Sequence, residues 1–166
     1  MMKKLNLAFA ALIIVAFIYS IYGKEQVIAT GDVVYLKLEP VDPLSLMQGD
    51  YMRLGYEISS DTSEIETIPK GKTGYLVLNI GDNKIAKFAR FDDGSPLTAK
   101  QIKFKYQRPD GGIVIMPNSF LFQQGLAELY AQAEFGIFRV TATEHLLVGL
   151  ADGDLNKLKT PTAATN

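Results

Sequence analysis

At 166 residues the chain has room for one domain, and its 48% hydrophobic and 21% charged residues are those of a globular protein. A formal charge of −1, with no cluster of Lys or Arg, gives no phosphate-tracking surface, so nucleic acid is not an expected partner. The lack of cysteine excludes disulfides, thiolate metal sites, iron–sulfur clusters, a cysteine nucleophile and a lipid-attached cysteine.

The first element in chain order is an apolar run. Leu5 to Tyr22 reads LNLAFAALIIVAFIYSIY and carries no charge. As a helix it spans roughly 27 Å, close to the hydrocarbon thickness of a bilayer. Tyr19 and Tyr22 fall where interfacial aromatic residues sit. Lys3 and Lys4 precede the run, whereas Lys24 and Glu25 cancel after it, so the positive-inside rule directs residues 1–4 to the cytoplasm and the rest outside. A cleaved signal peptide is the rival reading. Its apolar core is usually about 7–15 residues, shorter than this one, and the best cleavage position, Val27-Ile28-Ala29, lies beyond the Lys24-Glu25 pair. The expected organisation is a stub at 1–4, a transmembrane anchor at 5–22, a linker at 23–32, a β-rich domain at 33–151 and a disordered polar tail at 152–166.

Period-2 alternation, the mark of half-buried strands, begins after the linker. Val34, Leu36 and Leu38 alternate with Tyr35, Lys37 and Glu39. Met52, Leu54, Tyr56 and Ile58 alternate with Arg53, Gly55 and Glu57. Leu76, Leu78 and Ile80 precede a turn at Gly81-Asp82-Asn83, and Lys84 to Phe91 is the next strand. Ile102, Phe104 and Tyr106 lead to a turn at Arg108-Pro109-Asp110-Gly111-Gly112. Ile113 to Met116 is short and apolar. Leu126, Leu129, Tyr130 and Ala133 have helical spacing and predict a short helix over Gly125 to Ala133. Phe138 and Val140, then Leu146, Val148 and Leu150, complete the pattern. About eight strands and one helix make a mainly β fold, a sandwich or an open barrel, preceded by a single transmembrane helix.

The densest signal is Val41-Asp42-Pro43 followed by Gln48-Gly49-Asp50-Tyr51-Met52-Arg53-Leu54-Gly55-Tyr56. Gly49, Asp50, Tyr51, Leu54 and Tyr56 spell GDYxxLxY, and the chain resembles the GDYXXLXY family of bacterial membrane-anchored proteins over residues 30–150. The resemblance implies an anchor in the bacterial inner membrane, a domain in the periplasm or outside, and work beside a multi-pass membrane protein. It implies no chemistry. A position expected to be Glu-Gly is Gln124-Gly125 here, which weakens a carboxylate role at that point. On physical grounds Gly49-Asp50 is a turn into a strand, because Gly tolerates φ > 0 and Asp bonds nearby amides. Tyr51, Arg53, Gly55 and Glu57 face one way, and Met52, Leu54, Tyr56 and Ile58 face the core. Alternatively Asp50, Tyr51 and Arg53 form a polar binding surface, and Asp42, Gly49, Leu54 and Tyr56 complete the candidate motif.

Enzyme chemistry finds little support. Leu44 to Asp50 faintly resembles the strand region of signal peptidases, but the nucleophile position falls on Val41, which has no hydroxyl. His145 is the one histidine, so a multi-histidine metal site is excluded; its place between strands predicts a solvated turn. Asp152-Gly153-Asp154 begins like a calcium loop but has Lys157 where glycine is required. No catalytic residue, cofactor or metal ligand is assigned. The expected function is an accessory or binding module. The alternative is a periplasmic hydrolase in which Asp42, Ser45, Asp50 or Arg53 converges with another ionisable group.

Overall fold

The computed structural model describes residues 2–39, 51–60, 68–110, 112–142 and 144–159. Helix α1 (Met2–Thr30) comes first, followed by strands β1 (Asp32–Lys37) and β2 (Tyr51–Arg53) and a helical turn, α2 (Glu57–Ser60). Then come β3 (Thr73–Ile80), β4 (Ala86–Phe91), β5 (Gln101–Gln107), β6 (Val114–Ile115), β7 (Ser119–Leu121), α3 (Ala127–Tyr130), β8 (Phe135–Val140) and β9 (His145–Ala151). The fold is mainly β, as the alternation predicts.

The strands form three antiparallel groups, ordered β1-β8-β9, β2-β7 and β4-β3-β5-β6. They are stitched together. Tyr35 N–H donates to the Lys84 carbonyl at 2.9 Å, beside a parallel bridge from Tyr35 to Ile85, which joins β1 to the β4 edge. An antiparallel bridge from Leu38 to Tyr56 joins the end of β1 to the segment after β2. The result is a curled half-barrel around one main core. Val34, Leu36, Leu76, Leu78, Phe104, Phe138 and Leu150 are fully buried in it. Each such side chain contributes about 1.5–3 kcal/mol by leaving water. A satellite cluster of Phe135, Ile137 and Ala151, flanked by Val33 and Tyr35, covers the opposite face of the β1-β8-β9 sheet.

The structure departs from the sequence expectation in five places. The helix does not yield to a linker at Gly23 but runs to Thr30, since nothing in Lys24 to Thr30 breaks a helix. The extended pattern of Met52 to Ile58 is a strand only as far as Arg53; Ile58 reaches the core from the turn α2 instead. The helix over Gly125 to Ala133 shrinks to Ala127–Tyr130, because Gly125 sits at φ 87. In β9 a bulge skips Val148: Ile137 pairs with Gly149 and Phe138 with Leu147. Leu147 and Leu150 therefore pack on the main core, and Val148 turns to the satellite cluster. The start of the expected tail is also folded. The Asp152 side chain accepts backbone hydrogen bonds from Asp154 and Asn156, and Leu158 N–H donates to the Leu150 carbonyl at 2.9 Å. Residues 160–166 lie outside the described residues.

Helix α1 meets the half-barrel through a short, tight junction. Val27 is buried, Gly31 N–H donates to the Val27 carbonyl at 2.9 Å, and Arg139 donates to the Gly31 carbonyl at 2.8 Å. A Cβ on Gly31 would lie 2.5 Å from the Val27 carbonyl oxygen and 3.1 Å from the Val140 backbone nitrogen, so only glycine fits. Lys24 and Glu144 close the outside of the junction at 2.8 Å.

Candidate functional site

Two regions hold polar groups in unusual settings. The first is the described part of the signature. Tyr51 and Arg53 are exposed while Met52 and Leu54 are buried, as the strand alternation requires. β2 pairs with β7, Met52 opposite Phe120, and Leu54 N–H continues the ladder to the Asn118 carbonyl at 2.8 Å. Tyr56 is buried to 1% exposure, its ring 5.8 Å from that of Phe138. Its hydroxyl donates to the Pro117 carbonyl at 2.8 Å, and burial lifts the phenol well above its ordinary pKa. It is a fully engaged core group, not a base. Gly55 lies against Glu39, whose carboxylate accepts a hydrogen bond from Ser60. Asp42, Ser45, Gly49 and Asp50 lie outside the described residues, and so does the convergence that the hydrolase reading requires. Arg53 has no ion-pair partner among the described residues. Glu57 pairs with Lys37 at 3.3 Å on the rim of a cleft of about 580 Å³.

The second region lies where α1 joins the half-barrel. A cleft of about 560 Å³ is lined by Lys24, Tyr75, Asp92, Lys103, Lys105 and His145, with Glu144 at its edge. β5 supplies Lys103 and Lys105 from one face, while its Phe104 and Tyr106 enter the core from the other. Lys103 and Asp92 form an ion pair at 2.7 Å. That hydrogen bond holds the Asp92 carboxyl below the usual carboxylate range, helped by the Gly94 backbone N–H. Lys105 has no carboxylate partner among the described residues. A second cleft, also about 560 Å³, shares Lys24 and Glu144 and is otherwise walled by α1, including Tyr19, Tyr22 and Val27.

His145 is not the solvated turn residue expected from its neighbours. It opens β9 opposite Val140, on the core-facing side of the sheet. Its ring stacks on Phe104 at 4.3 Å between centroids and 27° between planes. Burial pushes the imidazole below its ordinary pKa, against the opposing effects of a hydrogen bond to the Met116 backbone and the nearby Glu144 charge. Tyr56 and His145 thus approach the same ring, Phe138, and reach the backbone of adjacent residues, Pro117 and Met116. Among the described residues no three His, Asp or Glu side chains gather as metal ligands would.

The family model described as GDYXXLXY protein matches residues 13–150, most of the chain, including the latter part of α1. The chain belongs to the GDYXXLXY family. No curated protein and no solved structure matches it. In this GDYXXLXY protein the described signature letters divide by burial: Leu54 and Tyr56 fill the core, and Tyr51 is exposed at the surface. The sequence drew attention to that segment and missed the cleft. The signals for the cleft were the charged alternate positions of β5, Lys103 and Lys105, and the first charge after the apolar run, Lys24; nothing local indicates that they meet.

Proposed function

We propose that this GDYXXLXY protein is a membrane-anchored, extracytoplasmic binding module that acts beside a multi-pass protein of the bacterial inner membrane. The observation that carries the reading is helix α1. From Phe9 to Tyr22 it carries no charge, and its large apolar and aromatic side chains are exposed on every face. A helix apolar on every face is suited to lipid rather than to one side of a soluble core. The uncharged run from Leu5 to Tyr22, roughly 27 Å as a helix, is close to the hydrocarbon thickness. Lys3 and Lys4 orient it with the β domain outside the cytoplasm. The multi-pass partner follows from the family resemblance.

The absence of cysteine offers a clean test. A cysteine placed at Ser95, in the exposed turn after β4, should react with a membrane-impermeant maleimide in intact or outer-membrane-permeabilised cells. One placed at Lys3 should react only after lysis. The opposite pattern overturns the orientation, and extraction of the chain by alkaline carbonate overturns the anchor. For the partner, a photo-crosslinking residue at Ile14 or Phe17 should give a defined adduct with an integral membrane protein. Crosslinks to lipid alone would argue against it.

A further inference from the structure

We propose that the two joined clefts at the foot of the β domain bind one anionic phospholipid, its phosphate in the lysine-lined cleft and its glycerol end and upper acyl chain along the tyrosines of α1. This deepens the membrane-anchored reading and rests on it.

The clefts differ in character and share a wall. The outer one presents Lys24, Lys103 and Lys105 against Asp92 and Glu144. Asp92 is committed to Lys103 in a half-buried pair, with only 14% of the carboxylate side chain exposed. Glu144 is committed to Lys24 in an exposed pair, which holds weakly because water competes for both ends. Lys105 is left as a cation without a carboxylate partner among the described residues. His145 lines the same cleft, but its hydrogen bond goes to the Met116 backbone, so the lysines supply the donors. The inner cleft is walled by Tyr19, Tyr22, Gly23 and Val27, on the stretch of α1 where the apolar run ends. Tyrosines at that height sit among lipid head groups. Lys24 borders both clefts, where a phosphate joining a polar head to a hydrocarbon tail would lie.

A ligand that fills both chambers must be anionic at one end and apolar at the other. Free phosphate satisfies only the outer chamber. A zwitterionic lipid brings a choline or ethanolamine cation toward Lys105. An anionic head group near a basic residue gains about 1 kcal/mol per Lys, roughly fivefold in affinity.

The test uses the full chain in mild detergent and native mass spectrometry. The added probes are dioleoylphosphatidylglycerol, dioleoylphosphatidylcholine or inorganic phosphate. Phosphatidylglycerol should be retained at one per chain, at least fivefold more tightly than phosphatidylcholine. Lys105→Gln should weaken it by about fivefold and Lys105→Glu by more. Lys87→Glu, the same change of charge on a residue that lines neither of these two clefts, should leave it unaltered. Equal retention of both lipids, or a Lys105→Glu variant that binds as the parent does, overturns the proposal. Phosphate binding as tight as the lipid's also overturns it, in favour of a soluble phosphate compound. Carbonate extraction of the same chain from membranes separates the two readings. A chain that resists extraction yet shows no lipid selectivity keeps its anchor and loses this site. A chain that extracts loses the anchor itself.

Discussion

Tyr56 and His145 are two polar rings packed near the same phenylalanine, and their surroundings make them opposites. Tyr56 is sealed: its ring lies against Phe138, its hydroxyl is satisfied by the Pro117 carbonyl, and its only titration is pushed far above neutrality. His145 sits at a seam, with one face on Phe104 and its edge on a charged cleft, and its pKa lies below the ordinary imidazole value. A buried hydroxyl that keeps its proton behaves as a large apolar side chain with one hydrogen bond. A buried imidazole with a depressed pKa couples the fold to pH. The signature tyrosine is thus a packing element, and the histidine outside the signature is the responsive one.

Truncating the sealed ring should have the largest effect. Tyr56→Ala opens a cavity among Leu38, Phe138 and Gly136 and should cost roughly 3–5 kcal/mol, measurable by chemical denaturation of the full chain in detergent micelles. A loss below about 1 kcal/mol would mean that the ring is not packed as described. Gly31→Val should come next. Its new atoms would meet the Val27 and Val140 backbones, which cannot yield as a side chain would. About 1–3 kcal/mol of overpacking is expected, with new protease cleavage between Thr30 and Asp32. An unchanged digestion pattern would show that the junction tolerates a Cβ.

The open ring should then reveal itself through pH. Because His145 has a lower pKa folded than unfolded, the unfolded chain takes up the proton first. Its contribution is fully present above the ordinary value of 6.5 and is lost as pH falls from there through the lowered folded value. Melting followed from pH 8 to 5 should show this decline in the parent and a flatter profile in His145→Phe, which keeps the stack on Phe104. Parallel profiles would place the histidine in water after all. The smallest effect is reserved for the exposed side of the signature: Arg53→Ala should change stability by less than about 0.5 kcal/mol. A larger loss would mean that the outer face of β2 is itself covered.

The contrast between the rings also marks how far the sequence could be read. Tyr56 was legible because its burial follows from strict alternation with Met52 and Leu54, a local rule that survives even where the strand stops at Arg53. His145 was not, for two reasons. Its core-facing side is fixed by its pairing with Val140, and the bulge at Val148 breaks the alternation that would have revealed it. The polar face of β5 could be seen in Lys103 and Lys105, but not that it meets Lys24, nearly eighty residues earlier in the chain. Likewise the pairing of β2 with β7 is a long-range event, and Ser119 to Leu121 has no local signal as strong as its partner's. Local periodicity gave the elements; the site arises where elements distant in sequence come together.

The junction at Gly31 has a mechanical consequence. A flexible linker of ten residues would let the domain sweep roughly 16–19 Å around its anchor point. Here the helix runs without slack into a glycine that the Val27 carbonyl and Arg139 hold on both sides. The domain is mounted on a mast rather than a leash. In the membrane-anchored reading proposed above, this mounting would hold the domain at a fixed height over the bilayer. In the same reading, a change in membrane thickness that tilts α1 would carry the domain and its clefts through the same angle.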